Sequence, residues 1–566
     1  MAVNRSLLFV LILFAAIGAT SQERITIAFE NETLGDALVK LDQRTEQQLS
    51  YNPQTLPLDN QVSASFTDRA PEDILSEVLG SSYQLKNIGN YIIIQKVVIA
   101  KKEKASFEIK GGIRDAKTGE ELKDVSIYEV NTLRSTLSDD GGAFKLKANS
   151  EYEEATFVIS KKFYRDTIIR ISNKVDLGAP IVLKPQEEAS KGLQIRERVK
   201  VFSSGIAKFF TSIELRRNAQ NVNYTDTRWF QASLVPSVGT NRKMSSQIKN
   251  RISLNLIAGY SYGVRGAEVG GVYNIAREEV RGVQIGGFGN TVGGEVHGFQ
   301  AGGFINTSKD FVNGTQLAGF FNLALDSVNG FQAAGFTNIT RDMGGFQVAG
   351  FNNHTKKVSG VQTAGFINTT GELDGLQLAG FLNIAREVKG LQFSIINIAD
   401  TVSSGLPFGL VSVVKKNGFI SPAIESDDVI PYRVAIRTGM DKFYTVLSGG
   451  IRPDEYWSFG VGFGSRLFFS EKKALYFNPE TRWINLADGQ LSESNSMLVR
   501  ANLNLGYQLF KRLSITTGPA ANLYIANNLD ESNNPVIEIA SSPIIDGLSG
   551  NTRLQFWVGY SFGIGF

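Results

Sequence analysis

The chain has no cysteine and only two histidines in 566 residues. Without thiols it can form neither a disulfide framework nor a thiolate metal site. Two imidazoles leave little for a transition-metal centre or for hydrolysis by a general base. An excess of charge of one sign is missing too: 58 Lys and Arg against 55 Asp and Glu leave +3, too near balance for a nucleic-acid partner. Beyond an apolar core at residues 7–17, no apolar run reaches the ~20 residues that a membrane helix requires. Any spanning part must therefore be a closed strand barrel. No GxxxxGK[ST] phosphate loop occurs.

What the chain has in quantity is glycine, 57 residues, much of it in one repeated phrase: Gly, apolar, Gln, apolar, Ala or Gly, Gly, Phe, any residue, Asn. Clean copies begin at Gly282, Gly298, Gly314, Gly330, Gly345, Gly360 and Gly375, with degenerate copies at Gly266 and Gly390. The start-to-start spacing is 16 four times and then 15 four times, so one small unit is reused. Apolar offsets 1, 3 and 7 share one parity, and Gln, Ala, Phe and Asn at offsets 2, 4, 6 and 8 share the other, which is strand periodicity. Three glycines per copy, at roughly 1 kcal/mol each against alanine, exclude a helix.

Two strand architectures satisfy that parity. Each copy is either a membrane-crossing strand with its turn, or one coil of a β-solenoid with Gln, Asn and Phe in ladders. In a barrel, Gln284, Gln300, Gln316, Gln332, Gln347, Gln362 and Gln377 face the lumen, with the Phe row from Phe288 to Phe381. Asn290, Asn306, Asn322, Asn338, Asn353, Asn368 and Asn383 join them. Such an uncharged lining suits neutral polar solutes. The plainer alternative is that these amides satisfy one another and fill a narrow or plugged barrel.

Residues 1–21 read as a secretory signal peptide: Arg5, an apolar core, then Ala19-Thr20-Ser21 as a cleavage site. Residues 22–97 then run strand, helix, strand, twice over. Leu34, Ala37, Leu38 and Leu41 mark one helix face, and Pro71 opens a second helix with Ile74, Leu75, Val78 and Leu79 inside and Gly80 at its end. The stretches ITIAFENETLGDALVKLDQRTEQQLSYNPQTLP and SASFTDRAPEDILSEVLGSSYQLKNIGNYIIIQ resemble the short N-terminal (STN) domain of secretins and TonB-dependent transducers. That resemblance implies a periplasmic domain that docks a periplasmic protein or an inner-membrane anti-sigma factor.

Lys101–Lys104 reads as a basic linker, and residues 105–185 as a small β-sandwich. Here GGIRDAKTGEELKDVSIYEVNTLRSTLSDDGGAFKL resembles the carboxypeptidase regulatory-like domain, a non-catalytic spacer in its family. Asp139 to Gly142 is a hairpin turn, since the alternating acidic ligands and distal Glu of a calcium loop are absent. Residues 186–226 form a linker carrying a helical stripe at Val199, Phe202, Ile206, Phe209, Phe210 and Ile213. That helix either lies at a membrane surface or packs on its own domain.

Strands 228–237 and 251–262 lead into the repeat. After it come 405–414, 418–423, 432–438, 443–450, 456–468, 474–486, 497–510, 513–524 and 553–566, several longer than ten residues. The last alternates apolar Phe556, Val558, Tyr560, Phe562, Ile564 and Phe566 with Trp557 and small residues. It resembles the C-terminal strand that outer-membrane assembly machinery recognises, with Phe556, Tyr560, Phe562 and Phe566 as the signal.

His297 and His354 fall beside repeat units, with no serine or acid placed by motif to make either catalytic. The expected molecule is multidomain and mainly β: an STN-like α+β domain, a β-sandwich, then a transmembrane antiparallel β-barrel over 227–566 of roughly 16 to 20 strands, with a solenoid as the alternative for the repeats. No catalytic residue, metal or cofactor is expected. The barrel lies in outer-membrane lipid and the N-terminal domains in the periplasm. The leading function is a non-enzymatic, receptor-like relay through residues 22–97. No plug domain fits between Lys184 and Arg228, so the likeness to TonB-dependent receptors does not extend to energy-coupled uptake. A passive channel and a repeat-built surface adhesin are the alternatives.

Overall fold

The computed structural model describes residues 23–88, 90–97, 105–150, 154–172, 174–186, 201–453, 455–487, 496–510, 513–527, 529–539 and 542–566. The signal-peptide reading, the basic linker Lys101–Lys104 and Val199 lie outside them. Strand makes up 64% and helix 8%, so the chain is mainly β. It divides into two compact units, Met1–Gly270 with Ile275–Glu278, and Gly271–Asn274 with Glu279–Phe566.

The first unit opens with Ile25–Thr33 paired antiparallel to Gln61–Arg69, and with a three-stranded sheet in which Tyr91–Lys96 is central. Thr33 caps helix Leu34–Asp42 by accepting the Asp36 N–H at 3.2 Å. Pro71 sits in the first turn of helix Pro71–Leu79, and Gly80 closes it at φ +71°. Leu34, Leu38, Leu41, Ile74 and Leu75 are all buried with Phe29, Phe66, Ile92 and Ile94. This is the helix stripe expected from the sequence, pressed onto strands by the hydrophobic effect.

Two four-stranded sheets follow. One runs Thr167–Ile171, Ala155–Ser160, Ser126–Glu129, Ser135–Leu137, and the other is built around Ala105–Asp115. They enclose Phe107, Ile109, Ile127, Phe157 and Ile159. The Asp139 carboxylate accepts the N–H groups of Gly141 at 3.1 Å and Ala143 at 2.8 Å, so it is spent on its own turn.

The linker stripe becomes two short helices, Gly205–Phe210 and Ile213–Asn221, because Ser212 caps the second by accepting the Leu215 N–H. Leu215 and Ala219 are buried, whereas Phe209 and Ile213 are 83% and 63% exposed. One cluster, with Ile93, Tyr128, Val130, Val158, Val222, Tyr224, Met244 and Ile248, joins all these parts. Asp226–Val235, Ile248–Asn255 and Ala258–Gly270 pair in parallel, so coil geometry begins well before the recognisable repeat.

In the second unit every repeat pairs in parallel and in register with the next, Gly314 on Gly330 and Gln316 on Gln332 for example. Each coil holds one strand through Gly-x-Gln-x-Ala and a second through x-Asn, as in Val296–Gly302 and Ile305–Ser308. The repeat is thus a β-solenoid. The single antiparallel barrel expected over 227–566 is corrected: an antiparallel sheet requires reversal at each strand, and here all neighbours run the same way. Leu406–Phe408 and Val411–Val414 complete the last coil.

Eight longer strands then pair antiparallel: Phe419–Asp427, Tyr432–Met440, Phe443–Arg452, Tyr456–Gly464, Leu475–Ala487, Ser496–Phe510, Leu513–Ala526 and Thr552–Gly565. The first also pairs with the last, Ile424 opposite Ile564, so the eight strands close on themselves. Eight strands replace the expected 16 to 20.

Candidate functional site

The repeat's sequence follows from stacking identical coils. Each coil's Gln donates its amide N–H to the preceding Gln: Gln300 to Gln284 at 2.8 Å, Gln332 to Gln316 at 2.7 Å, and on to Gln392 with Gln377 at 2.8 Å. Each Asn donates the other way, to the next coil: Asn290 to Asn306 at 2.8 Å, Asn353 to Asn368 at 2.9 Å. The same Asn Nδ2 also reaches a backbone carbonyl, as from Asn306 to Leu317 at 2.6 Å. An amide carries both donor and acceptor, so an endless column satisfies itself.

All seven glutamines and seven asparagines expected at a lumen are fully buried inside the coil. They line no lumen, because each is bonded to its copies. The columns stop where Pro407 and Ser412 replace Gln and Asn, opposite Gln392 and Asn397. Gln392 Oε1 and Asn397 Nδ2 are left without partners there.

The phenylalanines do not share the amides' side. The chain turns at Gly-Phe, which breaks the parity and leaves the rings outside. Phe304, Phe320, Phe336 and Phe351 stack at 4.7 to 4.9 Å with planes within 5°. They are 39–43% exposed. Glycine is obligatory at the corner: a Cβ on Gly319 would lie 2.1 Å from the Gly303 carbonyl oxygen. At the head of the unit, Gly314 adopts φ +136° and its Cβ would meet the Gly298 oxygen at 2.1 Å.

The closed sheet has its polarity reversed. Facing inward and buried are Glu425, Asp427, Arg433, Arg437, Glu480, Arg482 and Arg500. Arg437 bridges Glu425 at 2.5 Å and Glu480 at 2.8 Å. Arg482 contacts the same two carboxylates, Arg433 contacts Asp427, and Arg500 meets Asp428 at 3.0 Å. Tyr444 donates to Glu480 at 2.9 Å. Four guanidinium groups thus meet four carboxylates, the arrangement in which buried charge is tolerable. Val429, Ile430, Ile537, Ile539 and Trp557 pack together with inward side chains such as Leu498 and Tyr524.

Outward, the strands present Ile424, Tyr432, Val434, Phe459, Leu503, Leu505 and Val558, each at least half exposed. On the final strand Tyr560, Phe562 and Phe566 are 63%, 43% and 51% exposed and Phe556 is half-buried, all on this outer face. The inward charges were not singled out from the sequence. Their signal was there in strands such as YRVAIRTGM and LYFNPETRWINLA, where charged and apolar residues alternate.

His297 contacts Glu295 at 3.1 Å and stands edge-on to Phe311, and His354 ends a short strand. In the first unit, Lys86 donates to the Val130 carbonyl, and burial pushes its pKa down to about 8. Tyr164 donates to Asp115 at 2.6 Å. That bond, with the Lys117 and Thr118 N–H groups, holds the Asp115 carboxyl below the usual range. Burial, then the Asp115 bond, pushes the Tyr164 hydroxyl up to about 12. No protein-family model, curated protein or solved structure matches this chain, so its function has to be read from geometry.

Proposed function

We propose that this is a non-enzymatic outer-membrane protein whose closed eight-stranded sheet is a transmembrane β-barrel. The observation that carries this reading is the inverted polarity: paired charges inside, a mainly apolar surface outside. In water such a surface has no reason to exist, and in lipid it is required. Strands of nine to 15 residues, at roughly 3.3 Å each and tilted, suffice for an apolar band about 25 Å tall.

Loop lengths support an orientation. At one end, two of the three connections are two-residue turns, between Met440 and Phe443 and between Phe510 and Leu513, and the third is residues 465–474. The longest connection, between Ala526 and Thr552, lies at the opposite end and holds the short strand Ile545–Ser549. Short turns mark the periplasmic end of outer-membrane barrels. The solenoid enters at that same end, as does the chain's final residue, Phe566, whose N–H bonds Pro422 at 2.8 Å. The N-terminal domains are therefore read as periplasmic.

An eight-stranded barrel has an interior that side chains fill, and here it is packed by ion pairs. The protein accordingly acts as an anchor, not as a channel. It carries an STN-like module, residues 22–97, that docks a periplasmic or inner-membrane protein. Gln95 bonds Thr156 at 2.8 Å and Asn52 bonds Glu154 at 2.9 Å. One face of that module is thus committed to the sandwich, and the partner must use another.

Two measurements on the full chain test this. Detergent-extracted protein should migrate faster in unheated than in heated gel samples, as closed barrels do; identical migration refutes the membrane anchor. Crosslinking in the periplasm from a label on Asp36 should capture one defined partner, and no specific product refutes the docking role.

A further inference from the structure

The solenoid is amphipathic in cross-section. At the Gly-Phe corner each coil exposes the stacked ring row, flanked by outward apolar residues such as Ile285, Phe346, Val348 and Phe393 at 38–56% exposure. At the opposite corner the coils carry charge, paired along the axis by Arg341 with Asp326, Lys357 with Glu372 at 3.5 Å and Lys415 with Asp400 at 2.8 Å. A free solenoid in water needs no such division.

The form of the apolar corner narrows its occupant. Ring faces are covered by the neighbouring rings at 4.7–5.2 Å, so only their edges point outward. A sugar or an aromatic side chain would stack on a face, and within the row from Phe304 to Phe366 each face already meets a neighbouring ring. A continuous row of apolar edges suits a fluid apolar phase. The flanking residues beside the row, starting at Phe393, lead on to the barrel's outer surface. Phe393 contacts Phe408 at 5.4 Å, Phe408 contacts Phe443 at 5.3 Å and Phe463 at 5.7 Å, and Phe463 contacts the outward Trp483 at 5.1 Å. Aromatic residues in that position are what a barrel places at the lipid interface.

We infer that the solenoid lies along the bilayer, its phenylalanine corner sunk among the headgroups and upper acyl chains of the periplasmic leaflet and its charged corner in water. Interfacial helices use the same division of faces; here rigid coils supply it. The inference rests on the barrel being in the membrane.

The absence of cysteine makes the test direct, because a single introduced thiol is the only one to label. Full-length protein carrying a polarity-sensitive fluorophore at Phe336→Cys, Val348→Cys, Lys356→Cys or Val558→Cys is reconstituted in phosphatidylcholine vesicles brominated high on the acyl chains. Labels at 336 and 348 should be quenched to at least about half the extent seen at 558 on the barrel wall, and the label at 356 should remain unquenched. Two solenoid positions guard against a local defect at either one. Quenching at 558 with 336 and 348 behaving like 356 overturns the inference and leaves the anchor standing. Blue-shifted but unquenched labels at 336 and 348 also overturn it, since another protein surface then covers the corner. No quenching at 558 overturns the membrane reading itself, and the inference with it.

Discussion

The solenoid and the closed sheet both bury polar side chains and expose apolar ones, yet the solenoid's buried polar columns are amides and the closed sheet's buried polar cluster is charged. In a parallel, in-register stack each residue faces its own copy about 4.8 Å away. Only a group that is donor and acceptor at once tolerates that: Gln on Gln and Asn on Asn bond, while Arg on Arg or Glu on Glu repel. In the antiparallel closed sheet, neighbours come from different strands with different sequences. Glu425 can therefore meet Arg437 and Arg482. Topology decides which polar chemistry an interior admits.

The largest effect should come from breaking the charge cluster. Arg482→Met leaves Glu425 and Glu480 short of a counter-charge and should cost about 3–5 kcal/mol. The check is the temperature at which heat-modifiable migration is lost; an unchanged temperature would mean that water reaches the carboxylates.

Next comes the amide column. Gln332→Leu orphans the Gln316 acceptor and the Gln347 donor, for a loss of about 2–4 kcal/mol by denaturant titration. Gln332→Glu sharpens the point. Ionised at pH 7, it should be worse than leucine. At pH 4, as a neutral acid with both donor and acceptor, it should be better. A glutamate variant insensitive to pH would refute the self-complementarity argument.

Lys86 offers a third case, a cation bonded to a carbonyl. Its folded pKa of about 8 lies below the ordinary 10.5, so the unfolded chain binds more protons between those values. Stability of the first unit should thus rise as pH climbs from about 8 to about 10.5, by about 2 kcal/mol after allowance for partial exposure. Lys86→Met should abolish the rise. A fall in stability that depends on Lys86 would reverse the assignment.

The smallest effect concerns the rings. Phe336→Ala removes one half-exposed member of the stack and should cost about 1 kcal/mol, visible as a slightly lower circular-dichroism melting temperature. A loss as large as that of Gln332→Leu would mean that the rings, more than the amides, hold the coils together.

Much was legible beforehand. The Leu34-to-Leu41 and Ile74-Leu75 stripes, the stop at Gly80, and the strand parity of every repeat are local, set within a few residues by propensity and periodicity. That the Gln and Asn rows recur at fixed offsets was equally plain. The reading of Phe as sharing their face failed because parity was counted through a Gly-Phe corner, where the chain changes direction. Glu425, Arg433, Arg437, Glu480, Arg482 and Arg500 went unremarked because no two of them are adjacent in sequence. Only the eight-strand closure sets them opposite one another.

From sequence alone, then, came the unit: a strand-forming repeat of 15 or 16 residues with one self-complementary amide in each half. Whether successive units run parallel or antiparallel has no local signature, since side chains alternate identically in both. That choice depends on which strands pair across the whole chain, and it determines that the amides became a dry column while a separate ring of eight strands enclosed the charges.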